Sequence, residues 1–170
     1  MAMKSLIICE SYHHGNTRKI AGAMAEELHA SVEKPADVEF ASLARYDLIG
    51  FGSGIYAGRH HVSLLNFVRK MPHLNGTPAF IFSTAAFPEL KVVWHRSLAQ
   101  KILRKDLVLA GEFSCKGLST HALCGVIGGV NKGRPDAGDL ARARQFARSL
   151  AESMPKTRQS AAGESPSPGQ

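Results

Sequence analysis

The sequence predicts an α/β fold, a doubly wound, five-stranded parallel sheet with helices on both faces, three layers in all. Two observations carry that reading. Near-continuous apolar runs such as Leu6-Ile7-Ile8-Cys9 and Ala79-Phe80-Ile81-Phe82 lack a polar alternate face, as strands buried on both sides require. Segments with helical apolar spacing alternate with those runs, the pattern of a parallel sheet with crossover helices.

Each element follows in order. Leu6 to Cys9 is the first strand, and an amphipathic helix runs from about Asn16 to Ala30. Asp37 to Phe40 reads as a short second strand, and Ala41 to Arg45 has room only for a helical turn. Tyr46-Asp47-Leu48-Ile49-Gly50-Phe51-Gly52-Ser53 is the third strand, opening into a Gly54–Gly58 loop. Val62 to Met71 places Leu64, Leu65, Val68 and Met71 at helical spacing, and Pro72 and Gly76 end it. Ala79 to Thr84 is the fourth strand. The helix from about Leu90 to Arg104 sets Trp94, Leu98 and Ile102 at i, i+4 and i+8, which predicts core packing for Trp94. Leu107 to Phe113 is the fifth strand, and a long loop from Ser114 to Pro135 suggests a use. Asp136 to about Ala151 closes the domain as a helix with Leu140, Ala143, Ala147 and Leu150 on one face. The expected domain is therefore 1–151. Residues 152–170 hold three of the eight prolines and no Val, Ile, Leu or Phe, so a disordered tail is expected there.

Composition narrows the function. With 44% apolar and 21% charged residues in 170, the chain reads as one ordinary globular domain. No apolar run approaches a membrane span, and the first residues lead into a core strand rather than a signal peptide. Cys9, Cys115 and Cys124 show no metal-ligand spacing; they suggest a reducing interior, with the cytoplasm as the expected location. The net charge of +7 is scattered over residues such as Arg18, Lys19, Arg59, Arg96, Arg142 and Arg148, with no aromatic interleaving. That argues against a nucleic-acid partner and leaves a solvated basic surface or an acidic protein partner.

The most informative stretch is Ser11-Tyr12-His13-His14-Gly15-Asn16-Thr17, directly after the first strand. A helix entered this way offers backbone N–H groups and a positive dipole end to an anion. Ser11, Asn16 and Thr17 add side-chain donors, and Gly15 allows close approach; simple helix capping is the competing reading. No Gly-Lys-Ser/Thr pattern follows, so a nucleotide-triphosphate loop is excluded. Two further loops leave strand ends: Ser53–His61, with Gly54, Ile55 and Tyr56, and Ser83–Lys91, with Thr84, Ala85 and Phe87. Gly52, Gly54 and Gly58 would permit close backbone approach, and Tyr56 offers a flat face or packs on its own loop. Together these loops fit a planar ring that carries one phosphate.

In these segments, and in Gly111-Glu112-Phe113-Ser114-Cys115-Lys116-Gly117 and Gly128-Gly129-Val130-Asn131-Lys132-Gly133-Arg134-Pro135, the chain resembles the flavodoxin family over about residues 4–151. The resemblance implies strand order 2-1-3-4-5 and FMN at the switch point. It implies an electron-transfer protein cycling one or two electrons between a reductase and an acceptor, and a redox partner protein. The basic surface would steer a partner with an acidic docking face. The FMN-contacting residues it implies are Ser11, Tyr12, His13, His14, Gly15, Asn16, Thr17, Ser53, Gly54, Ile55, Tyr56, Ser83, Thr84, Ala85 and Phe87.

The tandem His13-His14 departs from the usual hydroxyl-rich phosphate loop, and the basic charge departs from acidic flavodoxins. Arg59, His60 and His61 follow the ring-contacting loop, where they would raise the flavin's potential. His60 and His61 are expected to line the rim, and histidine there could pass a proton to the ring. Metal binding is disfavoured, because no carboxylate or Cys joins the histidines at ligand spacing. Glu10 stands alone at its strand end, without a second acid beside it. Two other readings stay open. One is an FMN-dependent oxidoreductase acting directly on a quinone or similar small molecule; the other is a flavin-free interaction module. Cys115 and Cys124 read as unrelated thiols or as a redox pair.

Overall fold

A computed structural model describes residues 3–12, 15–117 and 131–154. Five parallel strands form the sheet: β1 (Ser5–Glu10), β2 (Ser31–Glu33), β3 (Leu48–Tyr56), β5 (Pro78–Ala85) and β6 (Val108–Lys116). Their order is β2-β1-β3-β5-β6, the expected 2-1-3-4-5 once the two-residue strand β4 (Arg59–His60) is set aside. β4 pairs antiparallel with the end of β3. Four helices cover the sheet: α1 (Asn16–Leu28), α2 (Val62–Lys70), α3 (Lys91–Leu103) and α4 (Ala137–Ser153).

Strand alternation builds the three layers. Leu6, Ile8, Ile49, Phe51, Ala79 and Ile81 face α2 and α3, where Leu64, Phe67, Val68, Leu98 and Ile102 meet them. Ile7, Cys9, Leu48, Phe80, Phe82 and Phe113 face α1 and α4, meeting Ile20, Met24, Ala143, Ala147 and Leu150. The glycines of β3 serve this packing. A Cβ on Gly50 or Gly52 would overlap the ring of Phe80 or Phe82 on the neighbouring strand, so Gly52 makes room for the core rather than for a ligand.

Several expected boundaries shift. The second strand lies at Ser31–Glu33, not at Asp37–Phe40. The latter segment follows a turn closed by Asp37 N–H donating to Lys34 O, and it leads into a 3-10 turn at Phe40–Arg45. Its alternation reflects Val38 reaching the core and Phe40 lying on Phe67, 5.3 Å between centroids, from irregular chain. β3 runs to Tyr56, so Ser53–His61 is a hairpin and not a loop. Ala57 and Gly58 turn it with φ of 47° and 76°, the signature of a type I′ turn. α4 starts where expected, capped by Asp136, whose side chain accepts from Asp139 N–H while Asp139 accepts from Asp136 N–H. Asp139 is fully buried and also takes Arg134, at 2.8 Å, and Arg142. The helix continues to Ser153, two residues into the expected tail; residues 155–170 lie outside the described residues. Among the described residues, no helix is long and apolar enough to cross a membrane.

Candidate functional site

The carboxyl ends of β1, β3, β5 and β6 converge beside the start of α1. Gly15 sits at the N-cap of α1 with φ 65°, which a residue without Cβ adopts freely. No side chain caps the helix at that position, and its first turn carries no acid. Ser11 Oγ reaches back to accept from Arg18 N–H at 3.4 Å, a long contact that serves the third helical position. Asn16 and Thr17 are buried, and Thr17 Oγ1 lies 2.8 Å from Thr84 Oγ1 at the end of β5. Gly117, just past β6, closes the corner. A Cβ there would stand 3.0 Å from Thr84 Cβ and 3.4 Å from Asn16 Nδ2. Gly117 N–H donates to Ala85 O, and Asn131 Nδ2 donates to Ala86 O at 3.1 Å. The corner is thus tight, neutral and lined by hydroxyl, amide and backbone groups. His13 and His14 lie outside the described residues, as do Cys124 and residues 118–130 of the long loop.

Aromatic side chains flank this corner. Tyr12 and Phe87 are exposed, at 72% and 59%. Tyr56 is half-buried with its hydroxyl end over Gly54, so it packs on its own hairpin. The His61 ring stacks on Tyr12 at 5.8 Å and meets Tyr56 edge-on at 5.6 Å. Trp94 is half-buried with its indole nitrogen 3.7 Å from where a Gly58 Cβ would sit, so it lies at the hairpin and not in the core. The core stripe of α3 is His95, Leu98 and Ile102 instead. Ala85 is buried, and Ile55 is half-buried in β3 opposite His60.

Two serines at the strand ends look inward. Ser53 Oγ donates to Gly54 O at 2.8 Å, accepts from His61 N–H at 3.0 Å and lies 2.9 Å from His60 Nδ1. Ser83 Oγ lies 2.8 Å from His95 Nε2 and 2.9 Å from Ser114 Oγ. Their hydroxyls therefore pin the hairpin and α3 to the sheet. His60 is 2% exposed, so the rim position expected for it falls to His61 alone: adjacent side chains on extended chain point to opposite sides.

His60 and His95 face each other with ring centroids 5.0 Å apart. Burial, with the neighbouring ring adding to it, pushes His60 down to about 3; burial, with Lys91 adding to it, pushes His95 down to about 4. His60 Nε2 and His95 Nδ1 have no hydrogen-bond partner among the described residues, and Glu112 Oε2 stands 3.7 Å from the latter. Burial raises Glu112 as well. Cys115 is buried in β6 and its thiol is pushed up to about 12 by burial, as is that of Cys9, so neither is a thiolate near neutral pH. Among the described residues no group of His, Cys, Asp and Glu could hold a metal.

The sequence pattern of the flavodoxin domain matches residues 6–122. The chain is 45% identical over 148 residues to the uncharacterized protein MJ0298 of Methanocaldococcus jannaschii, covering 87% of this chain and 98% of that protein. A Streptococcus pneumonia TIGR4 flavodoxin superposes with a TM-score of 0.66 at 18% identity, covering 89% of this chain and 99% of its own. A flavodoxin from the domain Archaea gives 0.60 at 15% identity, covering 88% and 97%. With strand order, family pattern and neighbours in agreement, the chain belongs to the flavodoxin-domain family.

Proposed function

We propose that this protein binds one FMN and carries electrons between a reductase and an acceptor protein. The observation that carries the reading is the neutral corner where Gly15, Asn16 and Thr17 meet Thr84 and Gly117, a fit for a single phosphate. An acid-free first turn leaves the positive end of α1 unopposed for a dianion. Ser11, Gly15, Asn16 and Thr17 hold the phosphate, and His13 and His14 add ring N–H donors. Tyr12, Tyr56 and Phe87 offer aromatic faces to the ring, while Ser53, Gly54, Ile55, Ser83, Thr84 and Ala85 line it through backbone. Bound FMN supplies one- or two-electron redox chemistry.

The partner docks over the exposed Tyr12, Phe87 and Arg59, and an acidic face on it is steered by the net charge of +7. The buried thiols of Cys9 and Cys115 are in keeping with a cytoplasmic setting. The test is a visible spectrum before and after incubation with FMN, followed by fluorescence titration. Flavin bands and quenching that saturates at one FMN per chain support the reading. Colourless protein with no saturable quenching overturns it in favour of a flavin-free interaction module.

A further inference from the structure

The excess positive charge is scattered along the sequence, and the fold gathers it on one side. Residues 62–105 hold seven Lys or Arg and one acid, Glu89, so they carry six of the chain's seven net positive charges. They build α2, β5 and α3; β5 has no charged residue, so the charge falls on the two helices and the turns beside them. Neither α2 nor α3 contains an Asp or Glu. On the opposite face the arginines are engaged within the protein: Arg142, Arg144 and Arg148 of α4 pair with Asp139, Glu26 and Glu27. Arg69, Lys70, Arg96 and Arg104 are exposed and enter no ion pair among the described residues.

The same face is apolar where it nears the site. α3 turns Val92, Val93, Arg96, Gln100 and Leu103 outward, opposite the buried stripe of His95, Leu98 and Ile102. Val92 and Val93 are 70% and 67% exposed in the first turn of the helix. β-Branched residues are weak helix formers and these two are not buried, so neither propensity nor the core accounts for them. Phe87 and Leu90, exposed in the turn that joins β5 to α3, extend the apolar tip to the end of β5, where Thr84 lines the corner described above. Basic residues follow along α3, from Arg96 at its middle to Arg104 at its C-cap.

We propose that this outward face of α3, apolar at the site end and basic along its length, is the docking surface for an acidic electron-transfer protein; its use in electron transfer rests on the FMN reading above. An exposed apolar patch beside unpaired cations has the composition of an interface centre with a charged rim. Carboxylates on the partner steer the encounter, and the tip from Phe87 to Val93 holds it. Glu89 decides against an anionic membrane: its exposed carboxylate lies between Phe87 and Leu90 and would enter the negatively charged headgroup layer with them. In the complex the partner loses one electron and the flavin gains it.

The probe is a reduced plant-type [2Fe–2S] ferredoxin, which is small, acidic and paramagnetic. Added to flavin-free, 15N-labelled protein at low salt, it should broaden the amides of Leu90, Val92, Val93 and Arg96 and spare those of α1 and α4, and high salt should remove the effect. Arg96→Glu should weaken binding about tenfold. Lys34→Glu, the same change of charge at an exposed residue just past β2, should alter it by no more than about twofold. Val92→Ser combined with Val93→Ser should weaken it about tenfold and leave its salt dependence unchanged. In FMN-loaded protein, electron transfer from the ferredoxin should slow about tenfold in Arg96→Glu, while photochemical reduction by a neutral deazaflavin keeps its wild-type rate. No broadening, broadening centred away from α3, or unchanged binding in Arg96→Glu overturns the docking face. Pelleting with phosphatidylglycerol vesicles in place of ferredoxin binding overturns the protein partner in favour of a lipid surface. Broadening at α3 in a protein that takes up no FMN keeps the docking face and overturns the flavin reading.

Discussion

Lowering the pH should cost this protein stability through two particular side chains. His60 and His95 are held neutral in the fold, at about 3 and about 4, because burial opposes charging either ring; the His95 ring beside His60 and the Lys91 ammonium near His95 add to it. Unfolded, each titrates at the ordinary 6.5. The unfolded chain therefore binds more protons than the folded one as pH falls below 6.5, so stability rises with pH across this window and is lost on acidification. The loss runs down to about 4 for His95 and about 3 for His60. Between pH 8 and pH 5 each ring contributes about 2 kcal/mol of that loss, or about 4 kcal/mol for the pair. The assay is urea unfolding at pH 8 and pH 5, followed through the fluorescence of Trp94, the single tryptophan. Carboxylates also titrate near the lower pH, so the comparison is with His60→Asn/His95→Gln, which retains polar side chains at both positions. The double variant should be less stable at pH 8 and lose about 4 kcal/mol less than wild type on moving to pH 5. Equal losses in the two proteins would refute the claim that these rings are neutral and buried.

Further predictions rest on single contacts. Gly52→Ala should destabilise by about 1–3 kcal/mol in urea titrations, because its methyl enters the space of the Phe82 ring, and adding Phe82→Leu should recover part of the loss. Ala57→Gly should raise stability by about 1 kcal/mol, since Ala57 holds φ 47° in the turn; an unchanged midpoint would contradict that. Asp139→Ala removes the reciprocal cap of α4 and leaves Arg134 and Arg142 without their buried partner, so thermal unfolding should show a loss of at least ~1–2 kcal/mol.

Much of this architecture is legible in the residues, and the exceptions have physical causes. β1 and β5 announce themselves because a strand buried on both faces is apolar throughout. β2 does not: Ser31-Val32-Glu33 is a three-residue edge strand with one apolar side chain, and it needs β1 beside it to form. On α3, both Trp94 and His95 have the spacing to share a stripe with Leu98 and Ile102, and the polar one is buried because Ser83 satisfies its Nε2. The corner at the start of α1 is legible in Gly15-Asn16-Thr17, whereas its third wall, Gly117 against Thr84, depends on two strands meeting far along the chain. The inward turn of His60 follows from the short strand β4, which two residues could not declare.

In the proposed function, one FMN seats its phosphate at the start of α1. The direct measurement is an amide NMR titration of 15N-labelled protein with FMN and, separately, with riboflavin, which lacks the phosphate. Saturation is expected at one FMN per chain, with the largest shifts at Gly15, Asn16, Thr17, Arg18 and Gly117, and much weaker changes there with riboflavin. Saturation without shifts at these amides, or identical responses to the two ligands, would contradict it.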